Sequence, residues 1–414
     1  MKVMLMSPPE QSILSEAGDR PSLGILYLAS SLIKHGHSVE ISDLNHDSYY
    51  TSNKRIEELK PEYIGLTAVS SSSQWIKDRA NYLKQRFPDT QLIAGGPHAT
   101  GLPEDLIDYF DYVVRGEGEK AIVDIVEGRL KRGIITAAPI ENLEELSNPA
   151  RYLLPLDKRY GIEGEIGKRG TLIDSSRGCI GSCFYCTKFL RGKGQRFYSL
   201  EKILDQMEEV QSAGFDWVYI TDDCFTANRQ KTIDLMDGMH DRKIDLKFEV
   251  MTRTDCVDVP LLKKMKENGL EYLLYGIEHT DDKVLNKFKK GCNVESIKRG
   301  VKMAKDLDIK VVGSFILNLP GATEKTMYDC LEFAKENLDF TKFYGLQAYP
   351  GTPLWDNPER FGYTVTSRDI KTPISSNGET NVESENMPKE KAERIVKDIR
   401  KKWKEYKNSK LHWK

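Results

Sequence analysis

Arg177-Gly178-Cys179-Ile180-Gly181-Ser182-Cys183-Phe184-Tyr185-Cys186 sets three of the seven cysteines in a C-x3-C-x2-C spacing. Thiolates this close converge on one centre, which is an iron–sulfur cluster, a metal ion or a redox site. Iron–sulfur clusters are commonly held by four thiolates. Three from one loop leave one iron of a cubane cluster with an open position, where a metal site binds substrate and does chemistry. A zinc knuckle wants four ligands at closed tetrahedral spacing, and no fourth Cys or His lies close by. An odd count of three argues against a disulfide framework.

Outward from this loop the chain alternates short apolar runs with helical stretches. Thr171–Ser175 reads as the strand feeding the cysteines. Further strands are expected at Trp217–Thr221, Lys247–Thr252, Glu271–Gly276, Lys310–Asn318 and Lys342–Tyr349. Helices are expected at Leu200–Ala213, Arg229–His240, Val259–Glu267, Lys283–Lys289, Glu295–Asp306 and Glu324–Asn337. Six βα units predict a partial (β/α)6 barrel over 171–360, with its chemistry at the C-terminal ends of the strands. Upstream, strands at Lys2–Met6, Ser38–Asp43, Tyr63–Val69, Gln91–Gly95 and Tyr112–Arg115 alternate with helices at Leu23–His35, Gln74–Arg86 and Pro103–Tyr109. That rhythm predicts an α/β, doubly wound parallel sheet over 1–128, a Rossmann-like domain binding its ligand at the strand ends. Residues 129–170 read as a linker. Residues 361–414 read as a helical extension with an apolar stripe at Ala392, Ile395, Val396, Ile399 and Trp403, either packed on the barrel or docking a macromolecule.

The cysteine loop, with an aromatic residue just before its last cysteine, resembles the radical SAM superfamily. Pro21-Ser22-Leu23-Gly24, Gly36-His37-Ser38-Val39, Gly95-Gly96-Pro97-His98 and Gly116-Glu117-Gly118-Glu119 resemble the cobalamin-binding domain that precedes many of those enzymes. The resemblance implies three cofactors: a 4Fe-4S cluster on Cys179, Cys183 and Cys186, S-adenosylmethionine (SAM) on its open iron, and cobalamin. Tyr185 stands next to the cluster. Asp222 and Asp223, ending the second barrel strand, would accept from the SAM ammonium. Arg253 would fork onto its carboxylate. Glu278 would hold a ribose hydroxyl or the substrate. Thr67, Ser70, Gly95, Gly96, Gly116 and Glu117 would line the corrin site. The D-x-H-x-x-G motif that supplies a lower cobalt ligand in several cobalamin proteins is absent, leaving His46 and His98 as candidates by residue type alone. Cys224, Cys256, Cys292 and Cys330 read as packed or semi-exposed thiols.

The activity implied is C-methylation of an unactivated carbon. One SAM supplies the methyl group through methylcobalamin, and another gives the 5′-deoxyadenosyl radical that abstracts hydrogen. The compact layout is similar to enzymes that methylate a glutamine of methyl-coenzyme M reductase, which implies a protein or peptide substrate. Natural-product and lipid methyltransferases share these motifs. A cobalamin-containing cyclase and a catalytically inactive corrinoid- or zinc-binding module are the alternatives. A flavodoxin- or ferredoxin-like reductant is implied.

Composition fits this reading. The 414 residues are 39% hydrophobic and 30% charged, as in a globular protein with a core. A net charge of −2 gives no basic field for nucleic acid. No apolar run is long enough to span a membrane. Few cysteines and no export signal predict a reducing, cytoplasmic setting.

Overall fold

The computed structural model describes residues 1–9, 22–154, 169–187, 194–288, 290–368 and 378–411. They form two compact units, one built mainly from 1–172 and the other from 173–186 with 199 onward.

The first unit carries β1 (Lys2–Ser7), α1 (Leu23–Lys34), β2 (Ser38–Asp43), α2 (Tyr49–Leu59), β3 (Tyr63–Thr67), α3 (Ser73–Arg86), β4 (Gln91–Gly95), α4 (Pro97–Gly101), β5 (Tyr112–Arg115), α5 (Gly118–Val126) and β6 (Gly133–Thr136). The strands are parallel, in the order β2-β1-β3-β4-β5-β6. Side chains alternate across β1. Val3 and Leu5 join a core with Ile25, Leu26 and Leu32 of α1 and Ile122 and Ile125 of α5. Met4 and Met6 join a second core with Ile76, Ala80 and Leu83 of α3. Both faces are covered, as an all-parallel sheet requires. The order reverses between β1 and β3, which marks the ligand crevice at their carboxyl ends.

Two expectations change here. Pro103–Tyr109 is no helix: only a 3-10 turn, Pro103–Asp105, forms, after which Leu106 and Phe110 drop into the core. The stretch read as a linker adds β6, which pairs with β5 from Tyr112 to Arg115. Its alternating burial is that of a half-covered edge strand.

The second sheet runs β14-β13-β12-β11-β10-β7, with β7 (Gly170–Ile173), β10 (Trp217–Ile220), β11 (Lys247–Thr252), β12 (Leu270–Glu278), β13 (Lys310–Ile316) and β14 (Phe340–Tyr344). Short strands β8 (Ser176–Cys179) and β9 (Gly194–Phe197) lie between β7 and β10 in the chain. Spatial order follows chain order and the joins from β10 to β14 are parallel, as in a barrel opened along one side. The intervening helices are α6 (Leu200–Ser212), α7 (Arg229–Asp241), α8 (Val259–Glu267), α9 (Asp282–Lys287), α10 (Val294–Lys305) and α11 (Glu324–Asn337). Side chains set their starts: Ser199, Asn228, Asp258 and Asp281 accept from the first turns of α6, α7, α8 and α9. Asn293 with Ser296 and Thr323 with Thr326 close capping boxes on α10 and α11.

After the short α12 (Pro353–Asp356), the C-terminal helix α13 (Lys389–Leu411) buries Ala392, Ile395, Val396 and Ile399 and sets Trp403 edge-on to Phe343 of β14, 6.3 Å between rings. Its apolar stripe is thus spent on the barrel. The polar residues Ser375, Ser376 and Asn377, and Pro21, lie outside the described residues. Among the described residues, no helix is long and apolar enough to cross a membrane.

Candidate active site

The cysteine loop leaves β8 through Gly178, whose φ of +93° lies in the left-handed region open to glycine. The Gly181 N–H donates to Cys179 Sγ at 3.3 Å, and the Cys186 N–H closes a turn on the Cys183 carbonyl at 3.2 Å. A Cβ on Gly181 would stand 3.5 Å from Cys179 Sγ and 3.9 Å from Cys183 Sγ, so both sulfurs flank one side of this glycine. The loop is pinned from outside. Leu354 N–H donates to the Phe184 carbonyl at 3.1 Å, and Phe184 stacks on Phe361 at 4.3 Å. All seven cysteines are free thiols. Burial pushes the Cys179 thiol up, partly offset by the Gly181 N–H, and the nearby Asp223 adds to the rise. Among the described residues, no three His, Cys, Asp or Glu side chains are grouped to grip a single ion.

The two aspartates after β10 have different surroundings. Asp222 is buried and takes the N–H groups of Ser175 (2.8 Å) and Ser176 (3.1 Å) together with both their hydroxyls (2.7 and 2.5 Å). Its oxygens tie β10 to the residues that lead into the cysteine loop, so the ligand role expected of it is replaced by a bracing one. Asp223 Oδ2 is buried with no hydrogen-bond partner. An orphaned carboxylate oxygen is costly unless a donor arrives.

Burial outweighs the four hydrogen bonds and lifts the Asp222 carboxyl to about 6 from the usual 3.8. The folded chain therefore holds this proton in a window where the unfolded chain has lost it, and stability falls as pH rises between those values. Thermal unfolding of the wild type should show this fall and Asp222→Asn should flatten it.

Arg253 was expected to fork onto a ligand carboxylate, but the fork is occupied. Its Nε and Nη2 donate to the two oxygens of Asp255 at 2.8 and 2.6 Å. This pairing, stronger than the burial that opposes it, holds the guanidinium pKa above its usual value. Around Arg253 the structure gathers thiols that are dispersed in sequence. The influence of Cys256 makes Cys224 the more acidic of the two, and Cys292 lies within reach of the Arg253 charge. Cys330 stays apart, buried against Thr280 with its thiol pushed up to about 12 by burial.

Glu278 closes β12 at a register shift, with a φ of +67°. A non-glycine residue in that region costs roughly 1–3 kcal/mol. Its Oε1 accepts from Lys290 Nζ at 3.0 Å, with side-chain exposures of 13% and 6%. Lys290 was not anticipated: it lies in a Lys-Lys-Gly stretch that reads as solvated charge. Burial works against its ammonium, yet the Glu278 carboxylate and the Cys183 sulfur outweigh it and hold the pKa above the lysine value. The Tyr185 hydroxyl is buried without a well-formed hydrogen bond. Burial first, then Glu278 and Cys183, push its pKa far up.

In the first unit, Thr67 and Gly95 end β3 and β4, and Ser70, Gly96, Gly116 and Glu117 follow strand carboxyl ends. A Cβ on Gly95 would meet nothing within 4 Å. Gly96 (φ +94°) packs against the Ala68 backbone, and Gly116 (φ +89°) against the Ala137 carbonyl. Glu117 is not open to a ligand as expected: it grips Arg196 with both oxygens, at 2.8 and 2.9 Å, and accepts from Ile140 N–H. His98 is buried, one ring nitrogen on Ser70 (3.1 Å) and the other on Asp105 (2.9 Å), which rules it out as a cobalt ligand in this arrangement.

The pattern of the radical SAM superfamily matches residues 173–334, and that of the B12 binding domain matches residues 13–126. An uncharacterized methyltransferase of Pyrococcus horikoshii is 30% identical, over 86% of this chain and 83% of its own. The chain belongs to the cobalamin-dependent radical SAM methyltransferases. Another relative, the hopanoid C-3 methylase of Methylococcus capsulatus, is 26% identical over 84% of this chain and 70% of its own. The fold is similar to that of TsrM from Kitasatospora setae, solved with cobalamin and a [4Fe-4S] cluster, at a TM-score of 0.71, 18% identity, 89% of this chain and 77% of that one.

Members of this family use a [4Fe-4S] cluster, SAM and cobalamin, and they need an external reductant. The residues present fit these groups. Two sulfurs of one loop flank Gly181, a buried carboxylate oxygen lacks a donor beside them, and the strand end at Gly95 is clear.

Proposed function

We propose that this enzyme methylates an unactivated carbon by a radical route, with Cys179, Cys183 and Cys186 holding the cluster. When bound, the cluster with SAM supplies a 5′-deoxyadenosyl radical, and the corrinoid supplies a transferable methyl group. The observation that carries the assignment is the orphaned Asp223 Oδ2 near Cys179. It would accept the SAM ammonium in a charge-assisted hydrogen bond, holding the amino acid end of SAM beside the cysteine loop. Asp222 holds the strand that presents the loop. Thr67, Ser70, Gly95 and Gly96 would give the corrin a surface of backbone and hydroxyls.

Asp223→Asn keeps the shape and removes the charge. SAM affinity should fall about 10- to 100-fold, matching the ~1.5–3 kcal/mol of a hydrogen bond to a charged group. Equilibrium binding to the cluster-loaded protein measures it.

The substrate we favour is a protein side chain, the glutamine of methyl-coenzyme M reductase, with a flavodoxin- or ferredoxin-like reductant in a cytoplasmic setting. The compact layout supports this choice. The test is incubation of a glutamine-containing peptide of that reductase, and separately a hopanoid, with deuteromethyl-SAM and a low-potential reductant. A product heavier by one labelled methyl group supports methyl transfer and names the substrate class. A product that has only lost hydrogen points to ring formation instead.

A further inference from the structure

Chain geometry is unusually demanding around Glu278 and Lys290. Glu278 sits at positive φ on a strand irregularity. A Cβ on Gly276 would stand 2.8 Å from Glu278 Oε1 and 3.4 Å from Lys290 Nζ, so both ends of the pair lie over this glycine. Gly291, at φ +80°, turns the chain directly after Lys290, and a Cβ on it would press on Arg253 Nη2 at 3.2 Å. Both members of the ion pair are taken largely out of water. A buried pair is weak evidence for stability, since desolvation consumes most of the attraction. Backbone strain and desolvation spent on one pair point to a functional use.

What the pair adjoins identifies that use. Tyr185, two residues beyond Cys183, sets its ring edge-on to Phe288 at 6.0 Å, two residues before Lys290. Its hydroxyl is buried near both Glu278 and the Cys183 sulfur. Lys290 has three donors and uses one on Glu278. A fixed positive charge beside a cluster thiolate favours the reduced, more negative cluster, and a fixed negative charge disfavours it. Net charge around a cluster is one determinant of its potential.

We propose that Lys290 and Glu278 form a charge pair that positions the reduction potential of the cluster, Lys290 raising it and Glu278 lowering it. They are positioning residues, acting through Cys183. This rests on the reading that the three cysteines of the loop hold the cluster.

The experiment is a redox titration of the cluster-loaded protein followed by electron paramagnetic resonance, for the wild type, Glu278→Gln, Lys290→Met and the double variant. Glu278→Gln should move the midpoint to more positive potential. Lys290→Met should move it to more negative potential. Each shift should be about tenfold or more in the reduction equilibrium, about 59 mV for one electron. The double variant should return toward the wild type. Opposite signs from two partners of one ion pair do not arise from general loosening of the site. Glu278→Gln carries the test alone if Lys290→Met fails to fold. An unmoved or negative shift in Glu278→Gln, with iron and sulfide at wild-type content, overturns the charge-pair proposal and leaves the cluster assignment standing. Wild-type protein without iron and sulfide overturns both.

Discussion

Cys183→Ala should yield a folded protein that binds corrin but has lost its broad iron–sulfur absorption, with reductive SAM cleavage at background. Cys183 is half-exposed on a loop whose anchors lie elsewhere, in the Leu354–Phe184 hydrogen bond and the Phe184–Phe361 stack. Its loss should cost little in stability of the apoprotein. Its loss to the cluster is large, because a second iron then has no protein thiolate and the loop offers no replacement. Visible spectra with iron and sulfide analysis measure the first effect, and 5′-deoxyadenosine formation measures the second. The corrin spectrum should persist, since the first unit has its own cores on both faces of its sheet.

Asp222→Ala should act in the opposite sense, on folding before chemistry. The substitution removes one acceptor and strands four buried donors on Ser175 and Ser176. Each unpartnered buried group costs about 1–3 kcal/mol, and hydroxyls reorient more easily than backbone N–H groups, so the loss should be ~4 kcal/mol. Asp223→Ala, one residue on, relieves an orphaned oxygen and should change stability by less than ~1 kcal/mol. Urea unfolding of the two apoproteins gives the comparison. Equal losses would mean that the two aspartates share one role.

The contrast between these neighbours shows what the sequence could carry. Alternating apolar runs made the βα rhythm legible, because they act locally. The cysteine spacing was legible for the same reason. Strand β6 was missed since its alternation is short and edge strands bury one face. Asp222 and Asp223 are chemically identical in sequence. Only the fold aims one at Ser175 and Ser176 and leaves the other without a donor. Glu117 and Arg253 were read as open to ligands, yet each found a partner: Glu117 in Arg196, 79 residues away, and Arg253 in Asp255, two residues away. Lys290 lay in a run of like charge, where burial has no signature. His98 lost its candidacy once Ser70 and Asp105 took its two nitrogens.

The measurement that bears most directly on the central claim is SAM turnover by anaerobically purified, cobalamin-supplied protein given a low-potential reductant. The account predicts 5′-deoxyadenosine in the wild type and none in Cys183→Ala, with the corrin spectrum retained in both. A wild-type protein that carries cluster and corrin but forms no 5′-deoxyadenosine would contradict it.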